Sequence, residues 1–306
     1  MSQWGENRAD FDGTLLPGEG WLFGPGNLWY PRGNAFFRLD RDLPMTRDEP
    51  WESPPESIRL PDDEVHVWRA RLDLLPESLQ AFQGVLADEE RERAERLVRG
   101  RDRRRSVASR GILRVLLGRY LGLEPGELCF TYGRKGKPAL DLSRAVSAPG
   151  ASGGPSSGTR AELLRFNVSH SGDLLLVGLT ADRDLGIDVE RVRPGRDMGR
   201  IVERFFSERE KAEFRSISEP LKPEAFYTCW SRKEAFLKAL GEGLSHPLNR
   251  FSVSVNPGEP VRFCCDGPGG GGPWPWTFRE IRPGEGYVGA VAVRGRPWRL
   301  RCWQWR

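Results

Sequence analysis

Apolar and polar positions along this chain alternate with two periods, and the period in each stretch predicts an element. Val65-His-Val-Trp-Arg-Ala-Arg-Leu72 reads as a strand, and the apolar run Leu174 to Leu179 as a buried one. Leu185-Gly-Ile-Asp-Val-Glu-Arg191 alternates apolar and acidic residues. As a half-buried strand it sends Ile187 and Val189 to one face, and Asp188 and Glu190 together to the other. Leu128–Tyr132, Phe251–Val255 and Gly286–Val293 are further strands. Helical spacing marks a segment from Asp88, whose carboxylate is placed to cap it, through Arg99. Another runs from Ser106 to Leu121 with an Ile112, Val115, Leu116 stripe. A third begins at Ser207, an N-cap with Glu210 three residues on, and reaches Phe214. A fourth, Trp230-Ser-Arg-Lys-Glu-Ala-Phe-Leu-Lys-Ala-Leu240, is built of strong helix formers and stopped by Gly241 and Gly243.

These elements repeat. Leu86-Ala-Asp-Glu-Glu-Arg-Glu-Arg-Ala-Glu95 echoes Phe206-Ser-Glu-Arg-Glu-Lys-Ala-Glu213. Each is followed by a helix carrying Ser-Arg (Ser109-Arg110 and Ser231-Arg232) and then by a strand. The expected fold class is therefore α+β, with two similar α+β subdomains facing each other, 64–184 and 185–306. Residues 1–63 are rich in Gly, Pro and Trp without a sustained period and form an irregular extension, with Asn34–Leu39 as a short strand-like piece. Residues 143–159, rich in Gly, Ser, Pro and Ala, read as a surface insertion.

Composition narrows the function classes. With 306 residues, 38% hydrophobic and 29% charged, the chain is ordinary globular material long enough for about two domains. No apolar run approaches a membrane span, and the first residues lack a secretory pattern. A cytoplasmic monomer is the expectation. Five cysteines fall in no metal-ligand spacing. A net charge of +4 favours an acidic or phosphate-bearing partner. Only six of the 47 basic residues are lysine, and four of those, Lys135, Lys137, Lys233 and Lys238, sit in two short motifs. Such placement suits sites that need a compact ammonium in place of a planar fork.

Three stretches carry candidate chemistry. Asp188 and Glu190, side by side on one strand face, repel each other and invite a hard cation such as Mg²⁺; the bland reading is a solvated strand edge. His170, one of three histidines, is bracketed by Ser169 and Ser171 at a strand edge, a setting for phosphate binding or proton handling. Glu234 and Lys238 project from neighbouring turns of one helix side, and on their own would be a surface ion pair worth ~0.3–0.5 kcal/mol.

Taken together, Gly136-Lys-Pro138, Phe166-Asn-Val-Ser-His-Ser-Gly172, Gly186-Ile-Asp-Val-Glu190 and Trp230-Ser-Arg-Lys-Glu-Ala-Phe-Leu-Lys238 resemble, in order and spacing, the Sfp-type 4′-phosphopantetheinyl transferases. The similarity runs from about Val65 to about Val255. It implies a pseudo-dimer holding coenzyme A between its halves, and transfer of phosphopantetheine to a serine of an apo acyl- or peptidyl-carrier protein, releasing 3′,5′-ADP. It further implies Mg²⁺ on Asp188, Glu190 and Glu234, with Glu234 also the general base, directly or through a metal-bound water, and Lys238 and His170 at the pyrophosphate. Lys137 and Pro138 would flank the adenine with Ser169 nearby, and Arg93 and Arg105 would meet the 3′-phosphate. Glu90 stands where some relatives carry lysine, so Arg91, Arg93 or Arg105 would supply that charge. The carrier would dock around Phe205 and Phe206. Two other readings stand beside this one: an inactive carrier-binding module, and RNA binding by the Arg-rich segment 91–105. Interleaved acids and the absence of an aromatic stacking motif speak against RNA, and no membrane partner is expected.

Overall fold

The structure, a computed structural model, describes residues 50–133, 136–141, 163–194, 198–241, 247–265 and 276–306, and the backbone of 21–24, 28–31 and 35–37. The insertion expected at 143–159, together with Lys135, Gly243 and His246, lies outside the described residues. The elements of the extension are β1 (Trp21–Gly24), β2 (Leu28–Pro31) and β3 (Ala35–Phe37). The first half follows with β4 (Glu64–Arg71), α1 (Pro76–Val85), α2 (Asp88–Glu95), α3 (Gly100–Leu121), β5 (Phe130–Tyr132), β6 (Pro138–Leu140), β7 (Leu164–Ser171) and β8 (Leu174–Ala181). The second half contributes β9 (Leu185–Arg191), α4 (Met198–Phe205), α5 (Glu208–Ser216) and α6 (Lys222–Leu240). It is completed by β10 (Phe251–Val253), β11 (Phe263–Cys265), β12 (Trp276–Ile281), β13 (Tyr287–Arg294) and β14 (Arg299–Gln304).

Two main sheets, ordered β14-β4-β8-β7 and β12-β13-β9, pack face to face with helices on their outer sides. The parity of β8 shows why. Leu175, Val177 and Leu179 point into the core beneath α1 and α3, while Leu174 and Leu176 point toward the other sheet. A strand apolar on both faces must be covered on both. β9 obeys the same rule on its inner face, where Leu185, Ile187 and Val189 join the core between the sheets. Its other face lies under α6. The architecture is thus two similar sheet-and-helix subdomains, the expected α+β pseudo-dimer.

Both halves also take a strand from elsewhere in the chain. β14 pairs in parallel with β4, so residues near the C-terminus complete the first sheet. β3 of the extension adds to the small sheet β10-β11 of the second half.

Several local expectations shift. α1, with Pro76 at its first turn and Leu79 buried, had no counterpart in the sequence reading. The cap of α2 is Ala87, not Asp88, and the helix ends at Glu95, short of Arg99. α3 begins at Gly100, earlier than Ser106, so Arg101, Arg103, Arg104 and Arg105 lie in its first turns. α6 starts at Lys222, eight residues before Trp230, with Pro223 in its first turn, where a missing N–H costs nothing. Gly241 ends it in the left-handed region (φ 74°), and its N–H caps the Leu237 carbonyl.

Candidate active site

Gly186 fixes the central contact. A Cβ there would stand 1.9 Å from the Ala235 carbonyl oxygen, so only glycine lets α6 lie this close to β9. The approach brings Glu234 and Lys238, neighbours of Ala235 and Ala239, over the acidic face of β9. Lys238 does not pair along its own helix. Its Nζ donates to Asp188 Oδ1 at 2.6 Å and to Ser169 Oγ at 2.9 Å. Asp188 is 4% exposed, and its other oxygen, Oδ2, is buried without a hydrogen-bond partner. Glu190, half-buried two residues on, accepts from Ser171 Oγ at 2.8 Å. Glu234 makes no hydrogen bond or ion pair to any described residue. Its carboxyl is pushed up to about 6 by burial and then by Asp188, with Lys238 pulling the other way and Glu190 adding to the rise.

Beside this cluster opens a cleft of about 810 Å³ between the halves. Arg93, Arg105, Pro138, His170 and Glu190 line it, as does Ser171. The His170 imidazole is held below its usual range by desolvation at the cleft wall, then by Lys238, Arg105 and Arg110. Arg105 donates to Asp173 Oδ1 through Nε at 3.0 Å and Nη2 at 2.5 Å, and Arg101 reaches the same carboxylate. Arg93 and Arg110 both sit over the ring of Tyr132, at 5.6 and 5.8 Å from its centroid. Arg110, Arg191 and Tyr227 also line the cleft without having been singled out in the sequence. A signal for Arg110 existed, since it belongs to the Ser-Arg pair of the internal repeat.

Some expected residues lie elsewhere. The Lys137 ammonium points away from the cleft and donates to the carbonyls of Lys238 (2.6 Å), Leu185 (3.2 Å) and Ala239 (3.4 Å). It holds the last turn of α6 against the start of β9, a cation at a helix C-terminus. Lys233 is wholly buried, bonded to the Leu248 and Phe251 carbonyls and to Glu210. Both ammoniums fill rosettes of oxygens that a planar guanidinium would fit poorly, which accounts for lysine in a chain rich in arginine. Glu90 is 6% exposed and faces the first core, where it pairs with Arg114 at 2.6 Å, so it leaves no gap in the cleft's charge. Phe206 is fully buried and stacked on Phe226, so it is no docking surface, and Phe205 packs edge-on against Trp230. Among the described residues no three His, Cys, Asp or Glu side chains are drawn together as a metal cluster, and no helix is long and apolar enough to cross a membrane.

Arginines, His170 and Glu190 thus line the cleft, with the Asp188–Lys238 pair beside it. Residues 184–292 match the 4′-phosphopantetheinyl transferase superfamily, and residues 73–182 match the 4′-phosphopantetheinyl transferase N-terminal family. The chain is 36% identical to 4′-phosphopantetheinyl transferase HetI of Nostoc over 255 residues, covering 83% of this chain and 98% of that one. It is 29% identical to 4′-phosphopantetheinyl transferase Sfp of Bacillus subtilis, covering 60% and 72% of the two chains. It is also 29% identical to the mouse L-aminoadipate-semialdehyde dehydrogenase-phosphopantetheinyl transferase, over 67% of this chain and 66% of that one. With both halves matched and nearly the whole of one relative covered, the chain belongs to the 4′-phosphopantetheinyl transferase superfamily.

Proposed function

We propose that the cleft and the Asp188–Glu190–Glu234–Lys238 cluster together carry the family's reaction, transfer of 4′-phosphopantetheine from coenzyme A to a serine of an apo carrier protein. The observation that carries this reading is Glu234, an unpartnered carboxylate raised to about 6 beside an Asp–Lys pair. At neutral pH such a group is ionised yet basic enough to accept a proton. The serine hydroxyl gives its proton to Glu234 as its oxygen bonds to the phosphorus bearing pantetheine. The bond from that phosphorus to the bridging oxygen breaks, and 3′,5′-ADP leaves with the electron pair. Lys238 has three N–H donors and spends two on Asp188 and Ser169, so one remains for a pyrophosphate oxygen. His170, kept neutral by its surroundings, offers a hydrogen bond at the same wall. Arg93, Arg105 and Arg110 supply positive charge for the 3′-phosphate, and Pro138 contributes an apolar wall for the adenine.

The donor set suits a magnesium ion: hard carboxylate oxygens, one of them (Asp188 Oδ2) buried without a partner, and a Glu234 raised by burial and then by its acidic neighbours. When bound by Asp188, Glu190 and Glu234, the ion would neutralise charge growing on the pyrophosphate. The protein's own residues orient the donor and hold the proton. Incubation with coenzyme A, Mg²⁺ and apo acyl- or peptidyl-carrier proteins tests the whole reading. Intact-mass measurement should show one phosphopantetheine per carrier, and no mass gain across several carrier types would overturn it.

A further inference from the structure

β7 and β9 belong to different sheets, one in each half, yet they run side by side in parallel. What joins them is a row of side chains. Asn167 Oδ1 accepts from the Ile187 N–H at 2.9 Å, Ser169 Oγ from the Val189 N–H at 3.3 Å, and Ser171 Oγ from the Arg191 N–H at 3.1 Å. Every second residue of β7 thus meets every second amide of β9, with a constant offset of twenty. A hydroxyl has one proton to give, and here its destination is fixed. Ser169 donates to Asp188 Oδ1 and Ser171 to Glu190 Oε2, each at 2.8 Å. Ser169 also accepts from Lys238, which fills its second lone pair. It has no bonding capacity left for a ligand and is 6% exposed.

On the functional reading given above, we infer that Ser169 and Ser171 are positioning residues through which the first half aims the carboxylates of the second. The two acids are neighbours on one strand face, and their repulsion drives them apart. Each serine restrains one of them by a hydrogen bond whose other end is anchored to β9's own backbone. The carboxylate therefore cannot swing without breaking the contact between the subdomains. Ser169 supports Asp188 and Lys238 together, so it sets the acid and the cation of the cluster from one atom. Its place in the Val-Ser-His-Ser motif comes from this duty and not from contact with coenzyme A.

The test uses Ser171, which is half-buried and whose Arg191 amide can take a water in its place. Binding of Mn²⁺ alone, as a paramagnetic stand-in for Mg²⁺, is titrated in the full chain by electron paramagnetic resonance, with a thermal melt alongside. Ser171→Ala should weaken Mn²⁺ by about 10–100-fold, the usual cost of losing a hydrogen bond to a ligating carboxylate. Ser171→Thr keeps the hydroxyl and should restore binding, which mere loss of packing would not predict. In a Glu190→Gln background, adding Ser171→Ala should weaken Mn²⁺ little further, because the carboxylate it aims is gone. Native-like Mn²⁺ binding by Ser171→Ala, or a native protein that binds no Mn²⁺, overturns the inference. A native protein that binds Mn²⁺ in the serine-dependent way but modifies no carrier would sustain the inference and sink the transfer reading alone.

Discussion

In the first half the short helix α2 is tied down by its own third residue: Glu90 reaches back to the Ala87 N–H at 3.1 Å and pairs with Arg114 of α3. The second half repeats the device in α5, where Glu210 reaches back to the Ser207 N–H at 2.8 Å and pairs with Lys233 of α6. Both glutamates are buried, and both cations rise from the long helix that packs on the sheet. Facing the cleft, the halves part company. α3 lines it with Arg105 and Arg110, while α6 lays Glu234 and Lys238 over the acids of β9 beside it. Even the matched Ser-Arg pairs diverge: Arg110 lines the cleft, whereas Arg232 is buried on Glu280 at 2.6 Å. The halves share the interior brace and differ in their facing surfaces, which on the proposed function give phosphate-binding charge to one half and proton-handling groups to the other.

The largest effects should come from the surfaces that differ. Glu234→Gln keeps the size and removes the proton acceptor, and should lower transfer by about 10²–10⁴-fold while coenzyme A still binds. Because a carboxyl must be ionised to accept a proton, native transfer should fall on acidification, and the variant should lack that limb. Lys238→Ala should weaken coenzyme A binding as well as turnover, since pyrophosphate is charged before reaction begins. Calorimetry and carrier mass read the two separately. Near-normal transfer by Glu234→Gln would erase the division of labour between the halves.

The shared brace should respond in stability and not in chemistry. Lys233→Met and Arg114→Met each leave a buried carboxylate without its cation, and each should cost roughly 3–5 kcal/mol in urea unfolding. Adding Glu210→Gln to the first should recover part of that loss. A large cost on one side only would show that one brace is dispensable and the halves are less alike than their geometry.

The smallest effect concerns the cap of the brace, which differs between the halves. Ser207 Oγ accepts from the Glu210 N–H at 3.2 Å, whereas Ala87 has no side-chain acceptor to offer. Ser207→Ala should lose about 1 kcal/mol, and Ala87→Ser should gain up to a comparable amount, both read from denaturation midpoints. A loss from Ala87→Ser would mean that α2 is held by Arg114 in a pose that a capping hydroxyl disturbs.

The elements legible in the sequence were those whose pattern is local. The alternation of β9 placed Ile187 and Val189 inward and the acids outward, and the Ser207–Glu210 spacing announced a capping box that the structure contains. What escaped depends on partners far along the chain. Lys137 and Lys233 looked like site residues because lysine is rare here, and only the fold shows their ammoniums spent on carbonyl rosettes. Glu90 looked like a missing cation, and only Arg114, on another helix, explains it. The polar row of β7 alternates at period two, but what it bonds could not be read, since its partners sit on a strand of the other half.

The parallel pairing of β14 with β4 has a consequence for how the chain is made. Arg69 and Gln304 meet across 235 positions, so during synthesis the outer edge of β4 stays open until β14 has emerged. An unpaired strand edge is a template for wrong partners. The first half thus waits, vulnerable, for a strand delivered by the second.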